Sequence, residues 1–376
     1  MSDSTDAVRA GQEKAQLLPI IMKNIPGFAF GIWVQFWAIP WMFPGKKEEE
    51  PAEVAEPTSF LTQFLFIIGM VAVMLGLLLA YLYWVQEMLL YVPASPIQFI
   101  EQNPPRYQSP SARDLKFEDI SLATTGGFVL HGWLMTHGDT YKGKDTIVFM
   151  HENAGNIGLR LDYFEPMCKT LNVNMICFGY RGYGRSTGTP NEAGIQEDAL
   201  KIAEYVKTCE HIDRDRVYLV GRSLGGAVAI HLIATNTYTD LFKGVIIENT
   251  FSCIGEMAEK LFPFLKYVPK QYLLKMNWDS LARVKEWPAD MPMLFVTGDH
   301  DTFVPFEMTQ RLFSAMASTR KRQWVVPGGD HNNTWQVAGS DYFDRVREFI
   351  RSTKESKEPA SVRLQEVSSS EAELLE

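Results

Sequence analysis

The chain has 376 residues, of which 46% are hydrophobic and 22% charged, and a formal net charge of −9. Such a composition fits a globular protein, and the length fits one α/β domain with an appendage. The acidic balance excludes the basic face that phosphate recognition requires, so nucleic acid is not an expected partner.

Part of the charge is local. Glu48, Glu49, Glu50, Glu53 and Glu56 crowd one stretch, and the chain ends in a Glu-rich tail; both are expected to be solvated segments. The four cysteines (Cys168, Cys177, Cys209, Cys253) are scattered with no CxxC pair. That pattern fits neither a disulfide scaffold nor a zinc site, and points to reduced thiols in a cytosolic domain.

Within residues 1–59, the run from Ile25 to Pro44 lacks charge but is punctuated by Pro26, Pro40 and Pro44 and crowded by seven aromatics. It reads either as a first membrane span or as an interfacial or re-entrant segment. The next run is clearer. No charged residue occurs from Pro57 to Gln86, and 14 of the residues from Phe60 to Trp84 are Leu, Ile, Phe or Val. About 20 apolar residues in a helix cover the hydrocarbon core, so 60–84 is expected to be a transmembrane helix. Tyr81, Tyr83, Trp84 and Tyr91 form the aromatic collar expected at one interface. If both runs span, the amino terminus and the domain that follows the second run share a side. Arg9, Lys14 and Lys23 precede the first run, against Lys46 and Lys47 between the two, which favours the cytosol by the positive-inside rule. An integral protein of an endomembrane or the plasma membrane is the resulting expectation.

Pro93, Pro96, Pro104, Pro105 and Pro110 mark 85–113 as an extended linker. From residue 114 to 353, short β-rich runs alternate with amphipathic helices. Strands are expected at Phe117–Leu122, Phe128–Met135, Thr146–Met150, Val173–Phe178, Val217–Val220, Gly244–Glu248, Met293–Val296 and Gln323–Val326. Helices are expected at about 157–171, 192–208, 224–235, 306–317 and 335–352. Runs such as TIVFM, VYLV and GVIIE are apolar on both faces, as in a parallel sheet buried between helices. Two opening strands without a helix, followed by βα repeats, imply a mostly parallel eight-stranded α/β sheet with helices on both sides. Residues 250–288 replace a simple crossover helix and read as a small cap with Phe262, Phe264, Leu265 and Tyr267 as its apolar content. The tail 354–376 reads as disordered.

G-x-S-x-G occurs twice, around Ser186 and around Ser223. A nucleophile elbow needs a strand entering a strained turn and a helix leaving it. Ser223 follows RVYLV and precedes LGGAVAIHLIA, whereas Ser186 runs into Thr-Gly-Thr-Pro, which cannot continue as a helix. Context selects Ser223 and leaves Ser186 as a loop residue.

A serine hydroxyl needs an imidazole to accept its proton, and the imidazole needs a carboxylate to fix its tautomer. With such an elbow the three follow in the order serine, acid, histidine. Two loops at strand ends qualify: Thr297 to Pro305, with Asp299 and Asp301, and Pro327 to Thr334, with His331. His331 is the last histidine and sits in a Gly-rich loop; His300 is its main rival, and His131 and His231 read as packing residues. The oxyanion formed in acyl transfer needs two donors. These are the N–H of Leu224, just after the nucleophile, and the N–H of Asn153 in the loop after the third strand.

Together these residues resemble the α/β-hydrolase superfamily, and within it the membrane-anchored serine hydrolases of the bud-emergence type, related to the alpha/beta-hydrolase domain-containing proteins. The resemblance covers about residues 110–352. It rests on HENAGN (151–156), YRGYGRSTG (180–188), GRSLGG (221–226), GDHDTFVP (298–305) and GGDHNNTW (328–335). The family's acid loop reads G-x-x-D-x-x-V/I-P, which matches Gly298, Asp301, Val304 and Pro305 and so favours Asp301 over Asp299. An N-terminal membrane helix is also typical of it. One position departs: Glu152 stands where the family usually has glycine, and its carboxylate is expected to point away from the oxyanion. The resemblance implies hydrolysis of esters or thioesters of an acylated protein or lipid at a membrane. Some relatives remove palmitate from proteins, and more distant ones are described as serine aminopeptidases. No cofactor or metal is expected, and no GxGxxG or phosphate loop is present. A non-catalytic membrane scaffold is the alternative from a different class.

Overall fold

The computed structural model describes residues 60–355, apart from 268, 269, 271 and 272. The run at 25–44, the acidic stretch 48–56, the Phe264 side chain and the tail from 356 lie outside the described residues. The described residues fall into two units that divide between Leu82 and Tyr83.

Helix α1 (Phe60–Leu90) has 31 residues and no acidic first turn or basic last turn. At about 1.5 Å per residue it measures ~46 Å, more than the roughly 30 Å of a bilayer's hydrocarbon. Phe60, Leu65, Phe66, Ile67, Leu77 and Leu78 are all exposed, so no protein core accounts for their apolarity. The helix is long and apolar enough to cross a membrane.

The second unit is built on one eight-stranded sheet in the order β1-β2-β4-β3-β5-β6-β7-β8. The strands are β1 (Lys116–Ala123), β2 (Val129–Thr136), β3 (Thr146–Met150), β4 (Asn174–Phe178), β5 (Val217–Arg222), β6 (Phe242–Glu248), β7 (Met293–Gly298) and β8 (Lys321–Val326). β1 pairs antiparallel with β2, and β2 antiparallel with β4; every later pairing is parallel. The helices after α1 are α2 (Leu161–Leu171), α3 (Glu192–Thr208), α4 (Leu224–Ala234), α5 (Ile254–Leu261), α6 (Ser280–Arg283), α7 (Phe306–Ala315), α8 (Thr334–Ala338) and α9 (Ser340–Glu355).

The strand period of two sorts the core. On β5, Val217 and Leu219 join one hydrophobic cluster, with Ala227 and Ile230 of α4, while Tyr218 and Val220 join the other, with Phe349 of α9. Both faces are therefore dry, which is why the central strands read as unbroken apolar runs. β1, at the sheet edge, alternates between exposed and half-buried positions instead. Local signals set the helix starts: Asn191 caps α3 by accepting the N–H of Gly194 at 2.8 Å.

Segment 85–113 differs from the expected linker. Its first residues continue α1 to Leu90, and the rest folds into short 3₁₀ turns at 100–102, 105–107 and 110–113. Tyr91 and Ile100 are buried in the two clusters, so the segment belongs to the domain. Proline disfavours interior helix and strand positions, whereas short turns accommodate it. Between β6 and β7 the chain forms α5, a 3₁₀ turn at Pro263–Tyr267 and α6. Leu261 and Tyr267 there are exposed, and Lys260 Nζ donates to the carbonyls of Thr302 and Phe303.

Leu219 lies at the centre of β5 with no exposed surface. Leu219→Ala is expected to lower unfolding free energy by about 2–5 kcal/mol, measured by denaturant titration of the full chain in detergent. A loss below about 1 kcal/mol contradicts a close-packed core at this strand.

Candidate active site

β5 ends at Arg222, and the next residue is forced through a sharp reversal. Ser223 adopts φ 52° and ψ −118°, a positive-φ conformation unusual for a side chain, and α4 starts at Leu224. The turn is held from both sides. Ser223 N–H donates to the Glu248 carbonyl at 2.9 Å, and Thr250 Oγ1 donates to the Ser223 carbonyl at 2.7 Å. Glycine is required beside it: a Cβ on Gly225 would overlap the Met150 carbonyl, and one on Gly221 would overlap the Gly225 carbonyl. The first turn of α4 thus rests directly on the backbone where β3 ends.

His331 and Asp301 reach this turn from the loops after β8 and β7. His331 Nε2 lies 3.0 Å from Ser223 Oγ, and its Nδ1 lies 2.8 Å from Asp301 Oδ2. The other oxygen of Asp301 accepts the N–H groups of Phe303 (2.9 Å) and Val304 (2.7 Å), which aims the carboxylate. The Asp301 side chain has no exposed surface and that of His331 has 14%. The Phe303 ring, half exposed, packs 4.8 Å from the imidazole.

The rival residues are occupied elsewhere. Ser186 is buried; its Oγ donates to the Gly179 carbonyl at 2.7 Å and accepts the His131 N–H at 2.9 Å. Asp299 accepts the Gly328 N–H at 2.7 Å, joining the two loops, and His300 is an exposed neighbour of Asp299 at 3.3 Å. His131 pairs with Asp119 at 2.6 Å on the outer strands.

Glu152 does point into a charge cluster. Its Oε1 lies 2.9 Å from Arg160 Nε and 4.0 Å from Arg222 Nη1. Burial pushes its pKa up, but Arg160 and Arg222 outweigh burial and hold it below the ordinary carboxylate value. Arg222 lies under the elbow, 2.9 Å from Glu248 and stacked 4.5 Å over the Tyr163 ring. Burial pushes its guanidinium down, yet Glu248 and Glu152 carry it above its usual value, so it stays charged. Glu248 also accepts the Tyr342 hydroxyl at 2.7 Å. Beside Glu152, burial and then the charge of Arg160 push His151 down to about 4. The ring is therefore neutral at physiological pH. Its Nδ1–H donates to the Glu152 carbonyl at 2.7 Å, and Nε2 accepts the Tyr180 N–H at 3.3 Å.

One residue with a central place carries no catalytic motif. Asn249, at φ 47°, donates through Nδ2 to the carbonyls of Asp330 (3.0 Å) and His331 (3.2 Å), and accepts the Gly298 N–H at 3.0 Å. It ties the end of β6 to both loops. The one sequence signal is an asparagine, tolerant of positive φ, directly after a buried strand. Among the described residues no group of three or more His, Cys, Asp or Glu could hold a metal ion. The cysteines are free thiols, and burial raises the pKa of Cys168 to about 12.

The prolyl oligopeptidase family model matches residues 186–353, a span that includes Ser223, Asp301 and His331. Protein bem46 of Schizosaccharomyces pombe is 32% identical over 274 residues, covering 72% of this chain and 88% of its own length. Alpha/beta hydrolase domain-containing protein WAV2 of Arabidopsis thaliana is 34% identical over 299 residues, covering 75% and 91%. An uncharacterized membrane protein of Saccharomyces cerevisiae is 30% identical, covering 64% and 82%. In fold, the Pyrococcus furiosus esterase Pf2001 superposes with a TM-score of 0.53 at 20% identity, over 66% of this chain and 98% of that one. A sheet of this order, an elbow between β5 and α4 and relatives of this extent make the chain a hydrolase of the α/β-hydrolase family that includes Protein bem46 and WAV2.

Proposed function

We propose that this hydrolase cleaves carboxylic esters or thioesters through an acyl-enzyme on Ser223, acting at a membrane on an acylated protein or lipid. The observation that carries the reading is the unbroken line from Asp301 through His331 to Ser223, at 2.8 and 3.0 Å. Ser223 Oγ attacks the acyl carbon while His331 Nε2 takes its proton. Asp301 keeps the His331 Nδ1–H in place and stabilises the imidazolium. The N–H groups of Leu224 and Asn153 receive the oxyanion, and α4 directs its positive end at the same point. His331 then returns the proton to the leaving alcohol or thiol. Water, deprotonated by His331, releases the acid and regenerates Ser223.

Esters are favoured over peptides with a free amine. An aminopeptidase needs an anion to hold that amine, and the candidate carboxylates Glu152 and Glu248 are engaged by Arg160, Arg222 and Tyr342. Support for a membrane-held substrate comes from α1. A span tethers the site beside lipid and raises the local concentration of acyl chains. If the 25–44 run also spans, the excess of Arg9, Lys14 and Lys23 over Lys46 and Lys47 puts the catalytic unit on the cytosolic side. A scaffold role alone leaves the buried Asp301–His331–Ser223 line without a purpose.

Labelling by a fluorophosphonate probe is expected to vanish in Ser223→Ala and persist in Ser186→Ala; labelling retained in Ser223→Ala refutes the assignment. Turnover of short-chain esters and thioesters is expected to fall by roughly 10⁴–10⁶ in Ser223→Ala. In the same assay, aminoacyl amides turned over faster than esters would reverse the substrate preference. Glu152→Gly is expected to destabilise the fold by about 3–5 kcal/mol, since it leaves Arg160 and Arg222 short of a partner. Its esterase activity should not rise. A gain above about tenfold means that the carboxylate does oppose the oxyanion.

A further inference from the structure

The side chain of Asn153, whose N–H is the proposed second oxyanion donor, is held on three sides. Its Nδ2 donates to the Leu90 carbonyl at 2.6 Å. Its Oδ1 accepts the Val92 N–H at 3.3 Å and the Tyr183 hydroxyl at 2.6 Å. All of these groups belong to the Tyr83–Glu376 unit. The same loop is laced further along the segment that leaves α1. Gly155 N–H donates to the Val92 carbonyl at 3.4 Å, and Asn156 Nδ2 donates to the Ile97 carbonyl at 3.1 Å. Asn156 and Asn103 exchange a pair of bonds at 2.8 and 2.9 Å.

The loop is also buttressed by the YRGYG motif, which the hydrolytic steps do not use. His151 stacks on Tyr180 at 4.1 Å and meets Tyr183 edge-on at 5.1 Å. Tyr91 accepts the indole N–H of Trp278 at 2.9 Å, which fixes the residue between Leu90 and Val92. The loop is thus held both by Tyr180 and Tyr183 and by the chain leaving α1.

We propose that the Asn153 carboxamide is a positioning group. Held by Leu90, Val92 and Tyr183, it fixes the direction of its own peptide N–H towards the developing oxyanion, and so makes the chain leaving α1 a working part of the hydrolytic centre. The proposal rests on the reading of Ser223 as nucleophile and of the Asn153 N–H as oxyanion donor. Physically, a three-bond clamp on the side chain restrains φ and χ1 of one residue, and hence the peptide plane that carries the donor. The oxyanion is absent from the bound ester and develops only on the way to the tetrahedral intermediate, so misdirecting its donor lowers kcat and leaves KM nearly unchanged.

The test uses the full chain in detergent with a p-nitrophenyl ester, kcat being expressed per serine titrated by a fluorophosphonate. Asn153→Ala removes all three side-chain bonds and keeps the backbone donor. Tyr183→Phe removes one bond, and Val92→Pro removes the N–H contributed by the chain leaving α1. Losing an oxyanion donor outright costs about 10²–10³ in rate, so a loosened one in Asn153→Ala should cost on the order of 10–100-fold in kcat, with KM within about threefold. Tyr183→Phe and Val92→Pro should fall in the same direction by smaller factors. An alkylboronic acid, whose tetrahedral adduct places an oxygen at the same point, should bind more weakly in proportion to kcat/KM. The clamp is overturned if kcat per titrated serine stays within about twofold of wild type in Asn153→Ala and Tyr183→Phe, or if activity falls while boronate affinity holds. It is also overturned if only the titrated fraction and the melting temperature drop. Turnover surviving in Ser223→Ala would instead remove the nucleophile assignment on which the clamp is built.

Discussion

The structure depends on one backbone reversal, the turn at Ser223 between β5 and α4. A side-chain-bearing residue at φ 52° costs on the order of 1–3 kcal/mol and persists only where its surroundings over-determine it. Here they do. β6 supplies a carbonyl to the Ser223 N–H, Thr250 supplies a hydroxyl to its C=O, and β3 packs its last carbonyl against Gly225. Both strands that flank β5 thus bear on this one turn, which is possible only at an interior strand of the sheet. The same turn presents Oγ to His331 Nε2 at 3.0 Å and stacks the start of α4 against the loop that carries Asn153.

Beneath the turn lies a charged cluster rather than an apolar plug. Arg222 faces Glu248 and Glu152, Glu152 faces Arg160, and Tyr342 and Tyr163 close the row. Buried ion pairs of this kind add little net stability, because desolvation cancels most of the attraction. What they provide is direction: an arginine on the elbow strand has few positions from which its charge faces both carboxylates. The cluster also explains how a glutamate is tolerated in the loop after β3, since its charge faces two guanidinium groups. Asn249 does comparable work with neutral groups, holding together the two loops that bring Asp301 and His331 to the serine.

Sheet and helices were readable from the chain because their signals are local. The apolar run RVYLV, the Gly-rich GRSLGG and the helical LGGAVAIHLIA lie end to end, so the elbow could be placed at Ser223. Ser186 could be set aside because Thr-Gly-Thr-Pro follows it. Helix 192–208 was legible for the same reason: Asn191 opens it, and its apolar spacing runs unbroken. The chain after α1 was not legible in this way. Gln86 and Glu87 make the apolar run look finished at Trp84, yet the helix continues to Leu90. Their partner is Lys275: its N–H donates to Gln86 Oε1 at 2.8 Å, and its Nζ lies 3.9 Å from Glu87. The prolines that follow read as a free linker only when the buried surroundings of Tyr91 and Ile100 are unknown.

By itself, the amino-acid sequence determined the element types, the order of the strands along the chain, the family likeness and the short roster of serines, histidines and aspartates from which a site can be drawn. Periodicity, glycine and proline act over a few residues, and a few residues are enough to record them. Only the tertiary structure decided which of those groups meet, that Glu152 is neutralised from Arg160 and Arg222, and that Asn153 is gripped by Leu90, Val92 and Tyr183. Those bonds join segments dozens of residues apart, and a hydrogen bond reads only distance and angle in space, which no local pattern in a chain encodes.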